Sequence, residues 1–513
     1  MALAIGMAQG ERTDPGRIGA LTSWHADWVG LRVGVLGLGV TGFAAADVLV
    51  ELGADVLVVC SDADEKRANI LAVLGVPLVV DSELVAPPGE LVHFEPEILV
   101  VSPGFRPNHP ILEWARARGI VIWGDIELAW RLRDKGGTPA EWITVTGTNG
   151  KTTTVQMAAL MLHTAGVKVA ACGNIGTPVL DAIRNPDGFD VLVVELSSYQ
   201  LNYMRKISPY ASVCLNVATD HIDWHGSAAA YRDAKARVYA NTRVACIYNR
   251  ADTVTERMVR DADVVEGARA ISFGLSVPGP GELGIVDGIL CDRAFVENRS
   301  VAIELATVDE LAPLGLATPH VLANILAASA LARSYGASPE NIRAGLAMFQ
   351  LDEHRMQEIT RAGEVLWIDD SKATNPHAAD ASLSAFSSVV WVVGGLLKGV
   401  DIDDLVRVHA PRLRAAIIIG ADRGLLRGAF ARHAPGVTVL EVNAPETEQI
   451  MPRVVELAVS VAEAGDVVLL APAAASMDQF SDYADRGRQF ALAVYDQVGD
   501  EADGGFASRT LQH

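Results

Sequence analysis

The sequence predicts an α/β protein of three domains, each built on a mainly parallel sheet, and three observations carry that expectation. The first is a strand from Arg32 to Leu36 that runs into Gly37-Leu38-Gly39-Val40-Thr41-Gly42 and then a helical stretch from Phe43 to Leu52. This is the strand–turn–helix order of a Rossmann-like unit. The second is Ile143-Thr144-Val145-Thr146-Gly147-Thr148-Asn149-Gly150-Lys151-Thr152-Thr153-Thr154, which reads as a strand, a glycine turn and the opening of a helix. The third is the run of apolar strands in the last third of the chain that end in polar clusters, as strands do at the ligand edge of an open α/β sheet.

Length and composition agree with that class. At 513 residues the chain holds about three domains on a prior of ~150 residues each. Half of it is hydrophobic and 20% is charged, and no apolar run approaches the ~18 residues that would span a bilayer. The start, MALAIGMAQGERTDPGR, has no basic segment leading into an apolar core, so the expectation is no export signal and a cytoplasmic protein. Five isolated cysteines, Cys60, Cys172, Cys214, Cys246 and Cys291, make neither a disulfide framework nor a CxxC pair. A net charge of −21 counts against a nucleic-acid binder. Acidic small molecules fit better, provided local cations offset the overall field. The expected partners are therefore small-molecule substrates, with no nucleic acid and no membrane; separately, the chain is expected to be a monomer.

Taken in order, residues 1–28 read as a loose extension and 29–138 as the Rossmann-like domain. That domain continues with strands at Asp55 to Val59, Glu97 to Val101 and Ile120 to Ile122. Asp62 follows the second strand near the place where a ribose would sit, and Ser102-Pro103-Gly104 follows the third. A Gly/Pro-bearing segment from Arg131 through Pro139 marks the first boundary. The central domain, 139–352, alternates strands and helices, is β-rich over 241–315, and then has a helix from Pro319 to Tyr335. The last domain, 353–513, is again Rossmann-like. Its strands end at Asp369-Asp370-Ser371-Lys372-Ala373-Thr374-Asn375, near Lys398, and at Pro472 to Phe480, and a polar tail closes the chain.

The stretch around Gly147 is a phosphate cradle of P-loop type. Gly147 and Gly150 let the backbone close around phosphate oxygens, so that successive N–H groups and a helix N-terminus face the negative charge. Lys151 adds a cation, and Thr152 offers a hydroxyl to a phosphate-bound Mg²⁺. The ordinary P-loop separates its glycines by four residues; here only Thr148 and Asn149 intervene. Glu195 ends the strand Val191 to Glu195, where a metal-water carboxylate belongs. His221 lies in the polar cluster that ends the strand Ala211 to Leu215. By its residue pattern alone, Lys235 is a solvated lysine on the helix Tyr231 to Tyr239.

Together, Thr146-Gly147-Thr148-Asn149-Gly150-Lys151-Thr152, Glu195-Leu196-Ser197-Ser198, and His221 followed by Tyr231-Arg232-Asp233-Ala234-Lys235 resemble the Mur ligase family, ATP-dependent amino-acid ligases of peptidoglycan precursor assembly. The Asp369 to Asn375 cluster, the Pro472 to Phe480 loop, Tyr483 and Arg486-Gly487 are similar to the branch that adds D-glutamate to UDP-N-acetylmuramoyl-L-alanine. The resemblance implies an acyl-phosphate mechanism in which cations converge on the γ-phosphate of ATP.

It also implies roles. Gly147, Thr148, Asn149, Gly150, Lys151 and Thr153 line the cradle, with Thr152 and Glu195 on one Mg²⁺ and His221 on a second. Lys235 is a carbamate formed with CO₂, an anion that supports the metals. Asn324, Arg355 and Asp370 meet adenosine and phosphate. Gly39, Val40 and Thr41 hold the UDP-muramoyl group, and Asn174, Ser197 and Gln200 its alanyl end. Lys372, Thr374, Lys398, Ser476, the N–H of Met477 and Tyr483 face the carboxylates of D-glutamate. Where the family places an acid for uridine, this chain has Cys60-Ser61. Closure of the last domain over ATP follows from the same resemblance.

Three rival readings remain open to the residues. A folylpolyglutamate synthase-like ligase shares the ATP chemistry but has no use for the turn at Gly37 to Gly42. A nicotinamide oxidoreductase would leave the cradle idle, and a nucleotide-switched binding protein would release no phosphate.

Overall fold

The computed structural model describes residues 15–298, 300–351, 353–444 and 446–499. The expectations for the first 14 residues and for the polar tail lie outside them. Three sheets are present. The first is five-stranded and wholly parallel, in the order Leu78–Val80, Asp55–Cys60, Arg32–Leu36, Ile98–Val101, Val121–Gly124. Its strands read as continuous Val/Ile/Leu runs because both faces are covered.

The second sheet has nine strands: Ile303–Thr307, Ile289–Asp292, Glu282–Val286, Arg269–Phe273, Ala245–Asn249, Ala211–Cys214, Glu141–Thr146, Val191–Glu195, Val169–Gly173. Glu141–Thr146 lies between Val191–Glu195 and Ala211–Cys214, parallel to both. The turn after it therefore opens between two other strand ends, the crevice position of an open α/β sheet. The β-rich stretch adds an antiparallel margin, where Ile289–Asp292 pairs with both of its neighbours. Helix Pro319–Ser334 is apolar nearly all round and correspondingly buried from Val321 to Ala332, save for half-buried Ala323.

The third sheet has six strands, in the order Gln357–Ala362, Val365–Asp369, Val467–Leu470, Val389–Gly394, Leu413–Ile419, Thr438–Glu441. It is parallel except for the first pair. Among the described residues no single helix is long and apolar enough to cross a membrane.

The described chain groups into two compact units rather than three. One takes everything up to Val217 together with Arg232–Phe349; the other takes Ala218–Tyr231 and the chain from Gln350 on. The expected boundary after residue 138 does not separate units. A single apolar cluster runs from Ile18 through Val33, Trp123 and Trp142 to Leu192 and Met258, joining the first two sheets. Arg131, expected in the linker, instead ends helix Asp125–Arg131, where it is 5% exposed. It donates to Glu127 and to the Leu21 carbonyl, and its guanidinium lies over Trp123.

The start of the described chain carries structure of its own. Residues 15–28, expected to be loose, include helix Pro15–Ala20 and bury Leu21 and Trp28. Asp134 accepts from Ser23 Oγ and from the Trp24 N–H, and so holds this segment in place. Ile18, Leu21 and Trp28 are spaced through a stretch whose polarity hides their common face.

Candidate active site

The cradle is shaped by its glycines and by a neighbouring strand end. Gly150 caps helix Lys151–Thr164 with φ +84, a left-handed value that suits glycine. A Cβ there would lie 2.4 Å from Oδ1 of Asn324, which is buried on helix Pro319–Ser334. Asn216 clamps the turn from the end of the adjacent strand. Its carbonyl accepts from Thr148 N at 2.9 Å, its Oδ1 from Asn149 N at 2.9 Å, and its Nδ2 donates to the Asn149 carbonyl at 3.1 Å. The sequence placed Asn216 in a polar cluster without giving it this part.

Two lysines converge on one carbonyl of the turn. Lys151 Nζ donates to the Gly147 carbonyl at 3.0 Å and to that of Thr148 at 2.9 Å. Lys235 Nζ, from the last turn of helix Ala228–Ala236, donates to the same Gly147 carbonyl at 2.7 Å. Lys235 is 2% exposed, so the solvated lysine of the residue pattern is in fact buried at the floor of the cradle. Burying an ammonium is costly unless its charge is compensated.

Glu195 is also 2% exposed, at the end of Val191–Glu195. Its Oε1 accepts from Asn174 Nδ2 at 3.0 Å, while Oε2 is buried without a hydrogen-bond partner among the described residues. An orphaned carboxylate oxygen beside a phosphate cradle fits a divalent cation. Among the described residues no group of three His, Cys, Asp or Glu side chains could enclose a metal on its own. A Mg²⁺ ion bound through one or two carboxylates and completed by substrate phosphates needs none.

Downstream, Ser197 caps helix Ser198–Tyr203 in a reciprocal box with Gln200. Gln200, expected at the alanyl end of the substrate, uses both ends of its amide inside the protein. Its Oε1 accepts from Ser197 N at 3.1 Å and its Nε2 donates to Asp125 Oδ2 at 2.9 Å. Burial pushes the Asp125 carboxyl up to about 6, against the lowering effect of the Gln200 hydrogen bond.

At the first turn the glycines divide their work. A Cβ at Gly37 would meet Ser102 Oγ at 2.7 Å and one at Gly42 the Gly37 carbonyl at 2.0 Å, whereas Gly39 opens on free space. Gly39 and Val40 are exposed and Thr41 half-buried at the start of helix Val40–Glu51. Ser102 Oγ is buried without a partner beside them. Asp62 is exposed. A cavity of about 690 Å³ lined by Arg269, Arg293 and Phe295 shares no residue with these groups.

In the second unit, His221 has left-handed backbone (φ +53), with Asp220 Oδ1 accepting from its N–H at 2.8 Å. The expected glutamate-binding loops are tied together by Arg486, which the sequence pattern marks without giving it a role. Arg486 is fully buried; its Nε donates to Ser371 Oγ at 2.9 Å, Nη2 to the Ser371 carbonyl at 2.8 Å and Nη1 to the Ala474 carbonyl at 3.2 Å. Burial lowers its pKa to about 10. Leu396 and Ala475 exchange backbone hydrogen bonds, bringing the Lys398 and Ser476 loops side by side. Lys372 Nζ lies 5.2 Å from the centre of the Tyr483 ring, Thr374 and Lys398 are half-buried, Ser476 is buried, and Met477 is exposed.

Arg355 has a buried, unpartnered Nε. It follows His354, whose Nδ1 meets Asp369 Oδ2 at 2.5 Å. Asp370 accepts from Met356 N and from Ser382 Oγ, and burial drives its carboxyl up to about 7.

Known proteins resemble the chain over nearly its whole length. The family models for the Mur ligase middle domain and for the Mur ligase glutamate ligase domain match residues 145–332 and 354–474. A UDP-N-acetylmuramoylalanine–D-glutamate ligase of Leifsonia xyli subsp. xyli is 63% identical over 95% of this chain and 97% of its own length. One from Streptomyces avermitilis is 50% identical over 91% and 98%. Among solved structures, a UDP-N-acetylmuramate-alanine ligase from Thermotoga maritima shares the fold with TM-score 0.52 at 18% identity, over 91% of this chain and 99% of that one. A MurF ligase of the same organism, in complex with ADP, does so with TM-score 0.53 at 17% identity, over 86% and 94%. With a curated relative this similar from end to end, the chain belongs to the Mur ligase family.

Proposed function

We propose that the chain is an ATP-dependent ligase that joins D-glutamate to the alanyl carboxylate of UDP-N-acetylmuramoyl-L-alanine in peptidoglycan precursor synthesis. The observation that carries the chemistry is the cradle itself, where Lys151 and Lys235 meet at the Gly147 carbonyl and Glu195 keeps an unpartnered buried oxygen. The choice of D-glutamate rests on the relatives named for that reaction.

A carboxylate is a poor electrophile. The alanyl carboxylate oxygen therefore attacks the γ-phosphorus of ATP, the bond to the β-phosphate oxygen breaks, and ADP leaves. The amine of D-glutamate then adds to the carbonyl of the acyl phosphate, loses a proton, and phosphate is expelled as the amide forms. Lys151, the cradle N–H groups and the start of helix Lys151–Thr164 hold the β- and γ-phosphates. Asn324, Arg355 and Asp370 take the nucleotide; Gly39, Val40 and Thr41 take the UDP-muramoyl group, and Asn174 and Ser197 its alanyl end. Lys372, Thr374, Lys398, Ser476, Met477 N and Tyr483 take the glutamate carboxylates.

Thr152 and Glu195 would hold Mg²⁺, with His221 on a second ion, and the metal would supply neutralisation of the phosphate charge. Lys235 works as a carbamate: its neutral amine adds to CO₂, releases a proton and becomes an anion, which relieves the cost of a buried ammonium. The enzyme acts in the cytoplasm as a monomer.

The test is phosphate release from ATP with UDP-N-acetylmuramoyl-L-alanine and a panel of amino acids. Release should require D-glutamate. Equal release with L-glutamate or meso-diaminopimelate overturns the choice of acceptor.

A further inference from the structure

A short chain of hydrogen bonds runs from the N-terminal sheet to Ser197, two residues along the backbone from Glu195. Asp125 opens helix Asp125–Arg131 directly after strand Val121–Gly124. Its Oδ2 accepts from Gln200 Nε2 at 2.9 Å. The other end of that amide, Oε1, accepts from Ser197 N at 3.1 Å, and Gln200 N donates back to Ser197 Oγ at 3.2 Å. Ser197 stands two residues after Glu195, so the box that starts helix Ser198–Tyr203 also sets where the chain leaves Glu195.

The same helix is docked at its far end. Glu127 Oε2 accepts from Arg205 N and Lys206 N at 2.8 and 3.0 Å, and Tyr203 donates to the Phe105 carbonyl at 2.6 Å. A Cβ on Gly124 would lie 2.9 Å from that of Tyr203, so the two elements are in van der Waals contact.

These far-end contacts already dock the helix, yet the chain also buries Asp125, 6% exposed, with its Oδ1 unpartnered. A buried carboxyl with an orphaned oxygen lowers stability. What it adds beyond that docking is its hydrogen bond to Gln200.

We propose that Asp125 is a positioning residue for catalysis: through Gln200 and the Ser197 cap it orients the Glu195 carboxylate toward Mg²⁺, tying the sheet that carries the UDP-substrate turn to the metal site. This rests on the reading of Glu195 as the metal carboxylate. Partners that orient a ligand typically change metal affinity by 10- to 100-fold when removed.

The experiment is Mn²⁺ binding to the full-length enzyme with ADP, followed by electron paramagnetic resonance, alongside thermal unfolding. Asp125→Ala should weaken Mn²⁺ by about tenfold or more, and Asp125→Asn, which keeps an acceptor for Gln200 Nε2, by much less. Gln200→Ala should match Asp125→Ala, and the double variant should be no weaker than either. Glu127→Gln, which disturbs the same helix contact away from Gln200, should lower the unfolding temperature and leave Mn²⁺ affinity unchanged. Should Asp125→Ala fail to fold, Gln200→Ala carries the test. Loss of Mn²⁺ binding in Glu195→Gln with no change in Asp125→Ala or Gln200→Ala overturns the proposal. Unchanged binding in Glu195→Gln overturns the reading of Glu195 instead.

Discussion

Gly150→Ala should cripple nucleotide binding, and the structure says by how much. Two costs add. The φ of +84 at this position costs an L-residue roughly 1–2 kcal/mol. The new methyl would also lie 2.4 Å from Asn324 Oδ1, 3.0 Å from its Cγ and 3.1 Å from its Nδ2. Asn324 is only 7% exposed, so it has little room to give way, and overpacking of this kind costs about 1–3 kcal/mol. The sum, about 2–5 kcal/mol, falls on the loop whose N–H groups must face phosphate. At 1.4 kcal/mol per factor of ten it weakens ATP between about 30-fold and several thousand-fold. Calorimetric titration of ATP measures it. In an Asn324→Ala background the steric part disappears, and the same change should cost only the ~1–2 kcal/mol of backbone strain. Equal costs in the two backgrounds, or ATP binding by Gly150→Ala within twofold of the parent, would refute the geometry of the cradle.

Two other outcomes follow from buried charge. Lys235→Ala should abolish turnover in the phosphate-release assay, and added acetate should restore part of it by standing in for the carbamate; full activity without acetate sinks the carbamate. Asp370 has its pKa raised from 3.8 to about 7 by burial. A raised carboxyl pKa means the folded state holds the proton more tightly than the unfolded one. This group's contribution to stability therefore falls as pH rises from about 4 to about 7 and stays lost above that. The penalty is on the order of 4 kcal/mol. Asp370→Asn lacks it, so the variant's unfolding temperature relative to the parent should climb across that window. A constant difference from pH 4 to 7.5 rules this out.

Much of the fold was legible because its signals are local. Gly37 to Gly42 and Gly147 to Lys151 announce strand–turn–helix units whatever surrounds them, since a phosphate-sized opening needs glycine at fixed places. The places of Glu195 and Asp369 at strand ends were legible for a related reason: a polar residue interrupts the apolar run where the strand stops. Misreadings came where a residue's meaning depends on a distant partner. Arg131 looked like linker charge but stacks on Trp123, and residues 15–28 looked loose although Leu21 and Trp28 are buried. That the Gln200 amide is engaged by Asp125 shows only where two sheets meet.

By itself, then, the sequence determined the α/β class, the order of its sheets, the glycine turn that opens helix Lys151–Thr164 and the kinship with the Mur ligases, because spacing and residue type suffice for each. Tertiary structure alone decided which charges are buried. Lys235 has the sequence surroundings of a solvated helix lysine, yet it lies against the Gly147 carbonyl, and Arg486 ties together loops more than a hundred residues apart. The physical reason is that a charge's cost and use depend on solvent and partners brought together in three dimensions, which no neighbour along the chain reports.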